Sequence, residues 1–374
     1  MRPFPAYSMR HRPLDIFAGG TRTRSTVAYR QIGAPTDGSA AFLVEAAINE
    51  LRIENRGDGL GDMLLMEGSR TNLLLRSAEF DNASWNIVGT VTANAANAPD
   101  GTVSADRVQS LSGANGINQN PATTVSTRHA GSVWQRDPLG TLAAWQLILG
   151  QSTGSASQGL LTPVWARATH SRVSNAIASE GLYIADGRDW SGSGGLVAGA
   201  RDLYGWGAQL EVGAFASSYI RTAGASATRA ADVLSYAVGQ YPASFLTRGF
   251  RLTFAPDFSS SEIPASAIYS LLGITPFTNG EVAIYQSGGI YLGVRKGDGT
   301  GAEFTAATLS WSRGQLLTIE VLPGVSLATS GFTSGNQTKA LTGGAWPSAA
   351  LTLARRSDGT APYFGRFGRY IETL

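Results

Sequence analysis

Short runs of apolar and β-branched residues, broken every few positions by turn residues, dominate the chain, and long helical periods are absent. Candidate strands fall at 72–76, 87–93, 103–111, 130–136, 142–149, 162–168, 171–177, 181–185 and 203–210, with Asp100-Gly101, Asn115-Gly116 and Asp186-Gly187 as turn signals. Alternation is clean in Gly131-Ser-Val-Trp-Gln-Arg136, whereas the continuous apolar run Leu142 to Leu149 predicts a strand covered on both faces or lying at a trimer contact. A second series begins near Phe245. Its candidates are 250–255, 266–273, 281–285, 290–295, 302–308, 315–321, 325–329, 350–354 and 364–372, with Asn279-Gly280 and Asp298-Gly299 as hairpin signals. The pattern predicts an all-β protein: two tandem antiparallel β-sandwiches after an extended N-terminal arm.

The segments between these series are legible too. Residues 1–40 carry Arg2, Arg10, Arg12, Arg22, Arg24 and Arg30 against only Asp15 and Asp37, and Pro3, Pro5 and Pro13 prevent a continuous helix. Aromatics among these charges (Phe4, Tyr7, Phe17) suggest an arm that docks on an acidic protein surface rather than a solvated tail. Residues 41–56 admit two readings: Leu43, Ala47 and Leu51 have helical spacing, while Leu51 and Ile53 alternating with Arg52 and Glu54 suit a strand. At Met66–Phe80 the polar turn cluster Glu67-Gly-Ser leads into Leu73-Leu-Leu, a chain entering a buried strand. Small residues fill 223–244, with a short strand near Val233–Tyr236. The expected organisation is therefore an arm at 1–65, a first sandwich at 66–225, a linker at 226–244 and a second sandwich at 245–374; the resemblances given below imply a jelly roll for the first and a lectin-like sandwich for the second.

Composition narrows the chemistry. With 46 glycines, 43% hydrophobic residues and 15% charged residues, 374 residues suffice for two cores. The absence of cysteine excludes disulfides, thiolate metal sites and a cysteine nucleophile. A net charge of +2 does not point to nucleic acid, and no apolar run approaches membrane-spanning length, so neither partner is expected. Met1-Arg-Pro-Phe-Pro lacks the apolar centre of a signal peptide, so synthesis in a cytoplasm is expected.

Several ordered motifs resemble a known family. Glu67-Gly-Ser-Arg-Thr-Asn-Leu, Phe80-Asp-Asn-Ala-Ser-Trp85, Ala98-Pro-Asp-Gly101 with Ala105-Asp106, Trp206-Gly-Ala-Gln-Leu-Glu211, Ser218-Tyr-Ile220 and Thr228-Arg-Ala-Ala-Asp232 are similar, in that order, to a module of tailed-bacteriophage virion proteins. That module is a head-spike or fibre domain with a jelly-roll fold like carbohydrate-binding modules, and the resemblance spans roughly residues 40 to 235. It implies that Ala47-Ile-Asn-Glu-Leu-Arg-Ile-Glu54 is extended, which favours the strand reading there. More weakly, Gly249-Phe-Arg-Leu-Thr-Phe254, Gly289-Ile-Tyr-Leu-Gly-Val294, Leu317-Thr-Ile-Glu-Val321, Leu351-Thr-Leu-Ala-Arg355 and Phe364-Gly-Arg-Phe367 resemble the strand order of concanavalin and laminin-G sandwiches.

Catalytic signals are thin. Gly150-Gln-Ser-Thr-Gly154 has the form of a nucleophile elbow and His170 lies downstream, but a Ser/Gly loop replaces the required helix. His11, His129 and His170 have no metal-ligand spacing. Glycosidase chemistry needs two carboxylates across one groove, and Glu79, Asp81, Asp106, Glu180, Asp186, Asp189 and Glu211 lie mostly in turn contexts. A structural calcium ion suits Asp- and Asn-rich loops of such modules, with ligands that spacing does not assign. For sugar stacking, Trp190 in its Ser/Gly loop is the first candidate, followed by Trp145 and Trp165; Trp85 and Trp134 are the other large aromatics of the module. Attachment to a particle would use Phe4, Tyr7, Arg10, Arg12, Phe17, Arg22 and Arg24.

The resemblance thus implies a non-enzymatic structural protein on a virion surface, a head spike, head fibre or tail fibre assembled in the host cytoplasm. It would adhere to host-surface polysaccharide, contact capsid, portal, neck or tail proteins, and form a homotrimer. The competing expectations are a capsid decoration protein and a polysaccharide depolymerase.

Overall fold

A computed structural model describes residues 14–18, 20–150, 154–174, 179–242, 244–274, 280–286, 289–296, 309–323, 325–340, 349–355 and 360–374. The chain is all-β, with antiparallel strand pairing throughout and one four-residue α-helix, Phe245–Arg248, among the described residues.

The first sandwich is built from one continuous stretch. One sheet runs Ala166–Val173, Arg128–Arg136, Arg201–Val212, Val103–Ser110 and Thr90–Asn97; the other runs Gly154–Leu160, Ala144–Gly150, Leu182–Ile184, Ile117–Gln119 and Asn86–Ile87. Val108, Val133, Ala168, Leu203 and Leu210 of the first sheet meet Ile117, Leu147, Leu149, Leu182 and Ile184 of the second in a shared core. Only the second half of the apolar run Leu142 to Leu149 is covered on both faces: Leu142 is exposed, whereas Leu147 and Leu149 face the inter-sheet core and Ile148 packs outward with Ala156, Tyr183 and Trp190. Gly154–Leu160, read as a loop from its Gly and Ser content, is a strand held in register by Ala144–Gly150. The two candidates at 162–168 and 171–177 are one strand, Ala166–Val173.

The second sandwich is assembled from remote pieces. Its larger sheet is ordered Gln337–Ala340, Ser326–Ser330, Leu317–Leu322, Phe250–Pro256, Gly365–Gly368, Met63–Met66 and Arg52–Glu54. Tyr370–Thr373 also pairs with Phe250–Pro256 and, on its other side, with Leu14–Asp15. The smaller sheet is Thr21–Thr23, Val233–Tyr236, Leu351–Leu353, Ile268–Ile274, Gly280–Gln286 and Ile290–Lys296. Leu64, Phe250, Leu252, Phe254, Ile319 and Phe367 face Leu234, Leu272, Val282, Ile284 and Leu353 across one core.

This pairing corrects the expected organisation. The described part of the 1–65 stretch is not a free arm, and the two sandwiches are not laid end to end: the first interrupts the second. The unpaired N–H and C=O groups of the edge strands explain why, since Leu14–Asp15 and Thr21–Thr23 cover edges that would otherwise be open. The candidate strand at 302–308 lies outside the described residues.

Residues 41–56 are not helical, but the expected extended run Ala47–Glu54 holds only in its second half: strands Leu43–Ala46 and Arg52–Glu54 flank a turn in which Asn49 has φ +61° and the Glu50 N–H donates to the Ala47 carbonyl. The first of these forms a hairpin with Ala28–Gln31, and the hairpin lies over the outer face of the first sandwich. Tyr29 and Phe42 pack there with Trp134, Trp165, Trp206 and Tyr219; Trp206 and Tyr219 have centroids 4.6 Å apart, and Phe42 and Trp134 5.3 Å apart.

Candidate functional site

The geometry that builds the site starts at a bulge in Arg201–Val212. Opposite Ser132 and Trp134 the register slips at Gly207, which has φ +65°, a left-handed conformation glycine adopts without cost. The extra residue changes the parity of the strand. Leu203 faces the inter-sheet core and Trp206 the hairpin, yet beyond the bulge Ala208 and Leu210 face the core and Gln209 and Glu211 face outward. One strand thereby delivers an aromatic ring and two polar side chains to the same outer surface.

On that surface residues from four of the six resemblance motifs converge; Phe80 and Trp85 pack in the inter-sheet core, and Ala98 and Ala105 pack with the aromatic cluster under the hairpin. The carboxylate of Glu67, 2% exposed, accepts from Arg52 (2.7 Å), the backbone N–H of Ser218 (2.8 Å) and the Ser218 hydroxyl (2.6 Å), and pairs with Arg229 at 3.0 Å. Asp232 accepts from Arg24 (2.9 Å), from Arg52 and from the backbone N–H of Glu67 (3.0 Å). Glu211 accepts from Gln209 (2.8 Å) and from the backbone and hydroxyl of Ser217 (2.6 and 2.7 Å). Asn72 uses its whole amide: it donates to the carbonyls of Ala208 and Ile220 and accepts from the N–H groups of Leu74 and Leu210. Burial alone would raise Glu67, but Arg229, Arg52 and the Ser218 donors outweigh it and hold the carboxyl far below its usual range. This buried junction ties the N-terminal segment, the first sandwich and the strand Val233–Tyr236 together.

Beside the junction lies a cleft of about 240 Å³, walled by the hairpin, the first sandwich and the second sandwich. Arg30, Arg56, Arg167 and Arg313 line it against Glu54 and Asp257. Three of these arginines are neutralised locally: Arg30 by Glu50 (2.8 Å), Arg56 by Glu54 and Asp257 (2.7 and 2.8 Å), and Arg313 by Glu262 (2.5 Å). Arg167 donates to the Ser217 carbonyl (2.7 Å) and the Ser132 hydroxyl (2.8 Å), but no carboxylate lies within ion-pair distance of it among the described residues. Burial pulls its guanidinium down to about 10, which leaves it charged at neutral pH.

The sequence-selected residues are distributed differently. Trp165 is buried, 1% exposed, donates its indole N–H to the Asn97 carbonyl and has Arg136 over its ring, so it is a core residue unavailable to a sugar. Trp145 is partly exposed and packs on the first core over Gly159. Trp190 is also partly exposed, resting on Ile148, Ala156 and Tyr183 with Arg188 5.3 Å from its ring centroid. These two lie apart from the cleft.

Of the residues expected to attach to a particle, Phe4, Tyr7, Arg10 and Arg12 lie outside the described residues. Phe17 packs on the second core under Arg369, and Arg22 donates to the Phe17 carbonyl. Arg24 is 3% exposed and fully engaged, with Asp232 and with the carbonyls of Thr26, Ala46, Ala47 and Glu50. It clamps this chain and presents nothing to a second protein.

Of the carboxylates weighed for hydrolysis, Glu79 pairs with Arg76, Glu180 with Arg172, Asp186 with Arg188, Asp189 with Ser191, and Asp106 with the N–H groups of Phe80 and Asn94, while Asp81 is exposed. The serine of the elbow-like Gly150–Gly154 stretch lies outside the described residues; His170 bonds instead to the Ser155 hydroxyl at 2.7 Å. Among the described residues no group of three metal-ligating side chains comes together, so no calcium ligands are assigned. Among those residues, no helix is long and apolar enough to cross a membrane.

Arg167, Arg56 and the buried role of Arg52 went unrecognised in the sequence. An arginine inside an alternating strand, in a chain whose other basic residues are almost all arginine, was the available signal. Compared with known protein families the chain matches none, and no curated protein is similar to it.

Proposed function

We propose that this protein is a structural component of a tailed-bacteriophage virion, a surface spike or fibre whose work is adhesion to host-surface glycan. One observation supports the reading: four of the six motifs that carry the resemblance, at Glu67–Leu73, Trp206–Glu211, Ser218–Ile220 and Thr228–Asp232, contact one another in a single buried junction, while Phe80–Trp85 and Ala98–Asp106 lie outside it. A chance resemblance would place its matched residues independently. Here Glu67, Gln209, Glu211, Ser218, Arg229 and Asp232 complete one another's hydrogen bonding and Asn72 holds the backbone of Ala208, Leu210 and Ile220, which favours a shared folding unit over a chance match. The jelly-roll assignment of the first sandwich and the concanavalin-like assignment of the second belong to the same proposal, as does a homotrimer on a symmetric mount.

The test is immunogold electron microscopy of intact particles with an antibody raised against the whole chain, because the second core needs strands from both ends. Label on the head or tail is the expected result, with adsorption to host cells reduced when the protein is missing. Unlabelled particles would overturn the virion reading. Fragile capsids with unchanged adsorption would replace adhesion by shell cementing.

A further inference from the structure

We propose that the cleft beside the junction binds the carboxylate of an acidic sugar, a uronate or related terminal residue, through Arg167 and the indole N–H of Trp134. The inference rests on the adhesion reading and names its ligand class.

Three features of the cleft point to such a ligand. The first is a positive charge with no carboxylate in contact: four arginines line the cleft, and among the described residues Arg167 alone has no carboxylate within ion-pair distance, Glu211 and Glu67 acting on it only from farther off. Its Nη atoms each spend one proton on Ser217 and Ser132, while its Nε–H is buried without a partner, so Nε–H and a neighbouring Nη–H remain as a fork. A planar carboxylate accepts two parallel bonds from such a fork. The second is Trp134, 6% exposed on the cleft wall, whose indole N–H is likewise buried and without a partner. A buried donor left unmade is costly, and native structures rarely keep one unless something else completes it. Trp134 and Arg167 are direct cross-strand partners, which puts both donors at the same level of the sheet.

The third feature is size and texture. At about 240 Å³ the cleft is smaller than the ~300–1,000 Å³ of sites for drug-sized molecules, which restricts it to a unit such as one sugar ring. Its wall alternates Leu43 and the Trp134 ring with Gln31 and Thr169, the mixture of apolar and hydrogen-bonding surface that a pyranose presents. Binding there would bridge both sandwiches, since Arg313 and Asp257 belong to the second.

The test uses the full-length protein with sodium D-glucuronate as probe, and D-glucose and sodium sulfate as comparators. Affinity is read by calorimetry and the site by the ¹H–¹⁵N signal of the Trp134 indole, assigned through Trp134→Phe. Expected are saturable glucuronate binding, a shift of that one indole signal, no response to glucose, and sulfate at least tenfold weaker. Arg167→Met should weaken glucuronate more than tenfold, and Trp134→Phe, which keeps the ring and loses one donor, roughly tenfold. Arg167→Met also removes two structural bonds, so its melting curve is checked, and Trp134→Phe carries the test if it fails to fold. Glucuronate that binds no better than glucose, binding unaffected by these variants, or sulfate binding as tightly as glucuronate would each overturn the proposal. Particles that still label with antibody while glucuronate fails would remove the acidic-sugar site and leave the virion role standing.

Discussion

The two sandwiches reach the same architecture by opposite routes. The first closes its core from strands that follow one another between Asn86 and Val212, whereas the second draws on Leu14–Asp15, Thr21–Thr23, Arg52–Glu54 and Met63–Met66 as well as on residues beyond 233. Loop closure must be completed before such remote pairings return any free energy, so the second core depends on the first being in place. The comparison explains why the polar junction sits where it does: it holds the crossing points of the chain, where edge strands of one unit leave for the other.

The largest expected effect breaks the comparison outright. A fragment of residues 245–374 lacks five strands of its own sandwich and should show no cooperative melting transition, while residues 24–232 retain the first core, the hairpin and the junction and should melt cooperatively. Circular dichroism of both fragments checks this; a folded 245–374 fragment would show that the interleaved strands are dispensable. Next is Glu67→Gln, which leaves Arg52 and Arg229 buried beside a neutral amide. Loss of one partner of a buried ion pair costs about 3–5 kcal/mol, to be read from urea midpoints of the full chain. The pH sign agrees. A carboxyl held below its ordinary 4.5 contributes stability above that value and loses it as pH falls through the folded-state value, so the Glu67→Gln penalty should shrink below about pH 4.5.

A smaller effect belongs to the first sandwich alone. Gly207→Ala puts a side chain at φ +65°, within 3.3 Å of the Tyr219 ring and 3.4 Å of Trp134, and should cost about 1–2 kcal/mol from the left-handed backbone before any ring movement. The smallest effects are two opposing titrations in that sandwich. Burial and the nearby Arg172 depress His170 from 6.5 to about 4, so the unfolded chain binds the extra proton between those values and stability rises with pH there. Burial raises Asp106 from 3.8 to about 6, so the folded chain holds the extra proton and stability falls as pH rises through that window. His170→Gln should therefore tilt the pH 4–6.5 stability profile downward relative to wild type, and Asp106→Asn should tilt it upward; parallel profiles would contradict both assignments.

Much of the strand pattern was legible because alternation and turn dipeptides are local signals. Val103–Ser110, Arg128–Arg136, Ala144–Gly150, Phe250–Pro256 and Ile290–Lys296 lie close to where the hydrophobic pattern places them. Gly154–Leu160 was missed because its residues have little preference for extended structure and its neighbours supply the register. The site was less legible. Leu51 and Ile53 alternating with Arg52 and Glu54 mark a strand, yet the polar pair is the buried face, at 1% and 2% exposure, and the aliphatic pair is only partly covered. Glu67, in a sequence that reads as a solvated turn, is the centre of the junction.

By itself the sequence determined the all-β class, the positions of most strands and the exclusion of thiol chemistry, because propensity, alternation and composition act within a few residues of one another. Only the tertiary structure decided which sheet each strand joins, that the N-terminal segment completes the second sandwich, and that arginines and carboxylates far apart in the chain are buried together. A buried charge is tolerable only beside its partner. Partnership between Arg24 and Asp232, or Arg52 and Glu67, exists only once the chain has closed on itself.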